Sequence, residues 1–168
     1  MKKMNWKLIS TTFVIALSAT VVVYFATTTG SVSNAAEPKK VAEPKKKAVM
    51  YKPLKCGCCD DYAQYLERHG FEVEVKSLRS LAGIKAESGV PKGFEGCHTL
   101  LVEGYTVDGL VPIGTLEKLL TERPDIKGIT LPGMPWGAPG MEQRPKTGPL
   151  TIFEIPKTSS EPKVYAQE

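Results

Sequence analysis

Three of the four cysteines of this chain fall within four consecutive positions, Cys56-Gly57-Cys58-Cys59. An even scatter over 168 residues would not produce such a cluster, so function is sought there first. Cys56 and Cys59 make a C-x-x-C pair, the spacing of a dithiol that cycles with a disulfide. The flanking residues predict a strand before the pair and a helix after it. The unpaired N–H groups and the dipole of a helix start stabilise a thiolate, and Lys55 beside the pair adds to the effect. Such a thiolate is both a nucleophile and a metal ligand. Cys58 departs from the dithiol pattern, because a third adjacent thiol invites wrong pairing in a redox cycle. Three thiolates gathered at one helix start suit a soft ion better, Cu(I) above all.

Two further segments offer donors. Cys97 stands beside His98 at the mouth of an apolar run. It is either a fourth ligand, or a small buried apolar residue or disulfide partner; the concentration of thiols favours the ligand. His98 joins it as a candidate, against the ordinary alternative of a histidine that bonds a carbonyl or faces water. His69, at a predicted helix C-terminus, reads as a surface residue complementing the dipole. The stretch PGMPWGAPGME, residues 132–142, presents Met134 and Met141 from a Gly/Pro-punctuated loop. Methionine usually fills gaps in cores, yet little periodic core surrounds this loop. Thioether sulfur suits Cu(I), where Zn(II) and hard cations prefer other donors. Trp136 either covers such a site or packs to anchor the loop. The candidate metal ligands are therefore Cys56, Cys58, Cys59, Cys97, His98, Met134 and Met141.

These side chains need elements to position them. Residues 48–52 read as a short strand, stopped by Pro53. A helix opening at Cys58 or Cys59 runs to His69: Asp60 and Asp61 suit its first turn, Cys59, Tyr62, Ala63 and Leu66 recur at steps of three and four, and Gly70 ends it. Residues 71–75 alternate apolar and acidic, the period of a strand. Residues 78–87 predict a second helix, closed by Gly89 and Pro91. Two strands, 98–102 and 105–107, flank the hairpin signal Glu103-Gly104. Pro112 leads a helix carrying Ile113, Leu116, Leu119 and Leu120, which Pro124 ends. Residues 126–148 show no periodicity, and 150–155 read as a last strand paired with 163–165. This order is that of an α/β protein resembling a thioredoxin-like domain, with a Gly/Pro-rich loop and a C-terminal β extension. In such an arrangement the third strand starts opposite the N-terminus of the first helix, which would carry Cys97 to the cluster.

Composition bounds the rest. With 42% apolar and 24% charged residues the chain is globular in type, and its length suits one domain of ordinary size. The formal charge of +4 comes from the N-terminal region; from Met50 onward 16 acids face 14 bases, so no cationic footprint for nucleic acid exists there. Lys2, Lys3 and Lys7 precede an uncharged run from Leu8 to Ala26, followed by small and hydroxylated residues through Ala35. Residues 1–35 thus read as an export segment, either cleaved as a signal peptide or kept as an anchor through residues 8–26. Residues 36–48, with two Pro and a run of Lys, read as a solvated tether, and 49–168 as the folded domain. The domain is then expected in the periplasm or cell envelope, touching membrane only through the N-terminal segment. Two histidines and no paired acidic motif give little support for a hydrolase, and Gly-rich phosphate loops are absent.

Several motifs in order resemble one family: Cys56-Gly57-Cys58-Cys59, Gly89-Val90-Pro91, Cys97-His98-Thr99, Val107-Asp108-Gly109-Leu110-Val111-Pro112, Glu122-Arg123-Pro124, and the methionine loop from Pro132 to Glu142. Together they span most of residues 49–165 and are similar to the CopG copper-resistance family. The resemblance implies a thioredoxin-like, periplasmic copper protein. It places copper on the cysteine motif and its surroundings, and it adds interconversion of Cu(I) and Cu(II) as an implied role. Copper ions are the implied partners, together with envelope copper-handling or efflux proteins. Two alternatives stay open. A thiol-disulfide oxidoreductase would use Cys56 as nucleophile and Cys59 as resolving thiol, and a four-thiolate zinc site would ignore the methionines.

Overall fold

The computed structural model describes residues 44–158 and 161–168. The expected export segment lies outside the described residues, as does most of the expected tether. β1 (Lys46–Pro53) is followed by α1 (Gly57–Arg68), β2 (Phe71–Leu78), α2 (Ala82–Glu87), β3 (Thr99–Val102), β4 (Tyr105–Asp108), α3 (Ile113–Glu122), β5 (Gly128–Thr130), β6 (Thr151–Ile155) and β7 (Val164–Gln167). The α/β class expected from the sequence is the class observed. One sheet holds all seven strands in the order β2-β1-β3-β4-β5-β6-β7. β1 and β2 are parallel, as are β4 and β5; every other neighbouring pair is antiparallel.

Periodicity explains the two long helices. α1 buries Cys59, Tyr62, Ala63 and Leu66, the stripe read from the sequence, and α3 buries Thr115, Leu116, Leu119 and Leu120. Both stripes pack on a core whose fully buried members include Met50, Phe71, Leu100, Leu110, Ile129 and Ile152. Arg123 ends α3 in the left-handed region at φ 47°, just ahead of the predicted stop at Pro124. The Glu103-Gly104 hairpin has positive φ at both residues, the twist that matches antiparallel strands. β7 pairs with β6 as the C-terminal extension, and Leu150 exchanges backbone hydrogen bonds with Glu168.

Three expectations need correction. β1 begins at Lys46, inside the stretch read as tether, because its first residues pair in register with Phe71 and Glu72 of β2. That ladder also carries β2 on to Leu78, opposite Pro53, so the predicted helix over 78–87 shrinks to Ala82–Glu87; long-range pairing overrides local helix propensity. The aperiodic stretch 126–148 hides β5, three wholly buried residues that are too few to show a period.

Candidate metal centre

The cysteine cluster sits where β1 gives way to α1. Cys56 is the extended N-cap residue of the helix, and Cys58 and Cys59 lie in its first turn. Cys59 points into the core and is fully buried, whereas Cys56 and Cys58 are half-buried. Lys52 near the end of β1 fixes this corner: its buried ammonium lies 2.8 Å from the Asp60 carboxylate of α1. β3 runs antiparallel beside β1, with Tyr51 opposite Thr99, so the residues that lead into β3 arrive at the same end of the sheet. Cys97 is thereby delivered to the cluster.

The four Sγ atoms all lie within 4.8 Å of one another. Cys56 and Cys59 are joined as a disulfide, with Cα atoms 5.3 Å apart, and Cys58 and Cys97 are free. Cys58 Sγ is 3.6 Å from Cys56 Sγ and 3.8 Å from the Met134 thioether. Burial, and then the neighbouring Cys58, push the Cys97 thiol up to about 12. It is protonated at neutral pH and must release that proton to bind a metal.

His98 is completely buried, its ring 4.8 Å from that of Tyr62. Burial and then the charge of Lys85 lower its pKa to about 3, so the imidazole is neutral. Nδ1 lies 3.3 Å from Cys97 Sγ, and among the described residues Nε2 has no hydrogen-bond partner. An orphaned buried N–H is costlier than a bare lone pair, which puts the ring proton on Nδ1, directed at Cys97. In this arrangement His98 meets the cluster through Cys97.

Behind this pair lies a constellation that sequence reasoning missed. The buried Asp108 carboxylate accepts the Thr99 hydroxyl at 2.7 Å through one oxygen and the Gly96 N–H at 2.5 Å through the other. Lys85 of α2 reaches the same carboxylate at 2.5 Å and the His98 carbonyl at 3.5 Å. Cys97 and His98 are thus bracketed on both sides by one carboxylate. The signal was present: an acid inside the apolar run from Tyr105 to Val111 must find partners when buried.

The methionine loop reaches the centre through its backbone. Gly96 and Gly133 form a parallel β-bridge, and the Gly133 N–H donates to the Glu95 carbonyl at 2.8 Å, so the residues next to Cys97 and Met134 are joined directly. Farther along, Gly140 lies so close to α1 that a Cβ there would stand 2.6 Å from the Cys58 carbonyl oxygen. Met134 is 54% exposed, yet its sulfur contacts Cys58. Met141 is half-buried against the core, and its backbone closes a turn with Ala138. Trp136, half-buried, lies under the Arg144 guanidinium at 4.6 Å. His69 is exposed at the end of α1, with Nδ1 2.7 Å from the Tyr65 carbonyl, the surface role read from sequence.

A family model described as "Protein of unknown function, DUF411" matches residues 94–141. No curated protein sequence matches the chain. Among solved structures, "Copper resistance protein copG, Form 2" is 32% identical with a TM-score of 0.68, covering 74% of this chain and 98% of its own. Form 1 of the same protein gives 33% identity, the same TM-score, and coverage of 75% and 98%. The chain belongs to the CopG copper-resistance family. In this CopG-family chain the segment matched by the family model holds Cys97, His98, Met134 and Met141, and α1 supplies the other three cysteines to the same centre. Four sulfurs so close together are a donor set for thiophilic metal, and two of them are also a dithiol pair at a helix start.

Proposed function

We propose that this protein acts in copper resistance as a copper-binding protein of the cell envelope, holding Cu(I) through Cys56, Cys58, Cys59 and Cys97. Met134 supplies a thioether to the same centre, with His98 and Met141 in support. The observation that carries the reading is the gathering of four Sγ atoms within 4.8 Å, with a thioether 3.8 Å from one of them. That donor set is soft throughout, which suits Cu(I) over zinc or hard cations. The strand order β2-β1-β3-β4, with β3 antiparallel to both neighbours, supports a thioredoxin-like core in which the helix start presents the sulfurs. The Lys-flanked apolar run at residues 8–26 supports export, by cleaved signal or by anchor.

Interconversion of copper follows from the Cys56–Cys59 pair. Two thiolates give up one electron each as their S–S bond forms, and two Cu(II) ions take one electron each to become Cu(I). The same disulfide favours a second reading, in which the pair exchanges with thiols of other proteins.

The test is an anaerobic competition titration of the reduced chain with a Cu(I) chelator, beside Cys58→Ser. Tight binding that collapses in the variant supports the copper centre. No Cu(I) binding, together with dithiol turnover equal in both proteins, would leave the oxidoreductase instead.

A further inference from the structure

β2 lies at one end of the sheet, and among the described residues nothing pairs with its outer edge. The other edge strand, β7, has four residues and a register shift against β6, whereas β2 has eight in unbroken register with β1. Neither a proline nor a bulge blunts β2 against pairing. The direction of its free backbone groups follows from the ladder. The Lys46 N–H donates to the Gly70 carbonyl and the Leu54 N–H to the Leu78 carbonyl, one at each end of the strand. In the parallel register between them, Glu72, Glu74, Lys76 and Leu78 turn N–H and C=O toward β1, so Phe71, Val73, Val75 and Ser77 turn theirs outward. Val75 is also 41% exposed, on the face where its β1 neighbour Met50 is buried. Charged side chains commonly keep edge strands apart. Here Glu72, Glu74 and Lys76 share one face but differ in sign, and the Lys76 ammonium lies 3.3 Å from the Glu74 carboxylate.

We propose that the outer edge of β2 is a self-association surface, on which a second copy of this chain lays its own β2 antiparallel about a two-fold axis at Val75. A two-fold interface must be complementary to itself, and the order of charges selects the register. An axis at Val75 sets Glu74 against Lys76 of the second copy and Lys76 against Glu74 of the second copy. An axis at Glu74 would oppose two glutamates, an axis at Lys76 two lysines, and an axis at Val73 would oppose Glu72 to Glu74. With the axis at Val75 the outward groups match as well. Val73, Val75 and Ser77 exchange hydrogen bonds with Ser77, Val75 and Val73 of the second copy, and Val75 meets its own copy on the apolar face. Glu74 and Lys76 then occupy the non-hydrogen-bonded positions, where facing residues stand closest and opposite charges help most. The antiparallel arrangement puts the two sulfur centres at opposite ends of the joined sheet. Such an edge contact is small beside a standard interface, so association is weak and grows with concentration.

The test is sedimentation velocity of the full chain over a concentration series, kept reduced so that its cysteines form no bonds between chains. The wild type should shift from one chain to two as concentration rises. Glu74→Lys and Lys76→Glu each place like charges at both contacts, so each should raise the dimer Kd on the order of tenfold. An equimolar mixture of these two variants has opposite charges facing again and should regain the association of the wild type. Sedimentation as a single chain throughout the series overturns the proposal. So does a dimer indifferent to both variants, the behaviour expected of association through the apolar run at residues 8–26. Weakening by each variant without recovery in the mixture overturns the pairing about Val75.

Discussion

His98 shows how one buried side chain makes stability depend on pH. Its folded-state pKa is held near 3, against 6.5 for a free histidine, by burial and then by Lys85. The unfolded chain therefore takes up a proton as pH falls through 6.5, while the folded protein refuses it until about 3. The contribution of a neutral His98 is fully present above pH 6.5 and is lost progressively below it, at a slope on the order of 1 kcal/mol per pH unit. Thermal melts of the metal-free protein at pH 7.5, 6 and 5 should show this slope, and His98→Gln should flatten it; parallel slopes would refute the assignment. The sequence named His98 as a candidate but could not supply its environment. That depends on Tyr62 and Lys85, which stand 36 and 13 residues away in the chain and reach it only through the tertiary fold.

At the scale of elements, the centre depends on segments that carry no donor. Asp108 ends β4, Lys85 lies on α2, and their ion pair locks the approach to β3 on which Cys97 and His98 sit. Breaking a buried pair from one side strands the other charge, so Asp108→Asn should cost about 3–5 kcal/mol. Adding Lys85→Met to that variant should recover part of the loss, which a chemical denaturation series would reveal; no recovery would mean that the carboxylate acts mainly through Gly96 and Thr99. α1 and α3 were legible because an amphipathic stripe is a local pattern, as was the hairpin at Glu103-Gly104. β5 and the full length of β2 were not, since a three-residue buried strand has no period and the end of β2 is set by its pairing with β1. The gathering of Cys97 with α1 followed from topology, but its fixing by the Gly96–Gly133 bridge had no sequence signal beyond two glycines among many.

Across the whole molecule the sheet separates two tasks. The sulfur centre occupies the β1 and β3 end with the loop that carries Met134, whereas β6 and β7 extend the opposite edge. Removing residues 159–168 deletes β7 and the hydrogen bonds between Leu150 and Glu168, and uncovers β6. That truncation should lower Tm by several degrees while the metal stoichiometry stays the same. A loss of metal binding at a temperature where the truncated chain is still folded would show that the edge strands support the centre. Met134 has a consequence of its own. The proposed copper centre would have a dry side at the buried imidazole beside Cys97 and a wet side at the exposed Met134 thioether beside Cys58. On that reading an acceptor's sulfur would bind on the wet side before the thioether leaves, and release would go by ligand substitution, at a rate set by the concentration of the acceptor and not by escape of a bare ion into water.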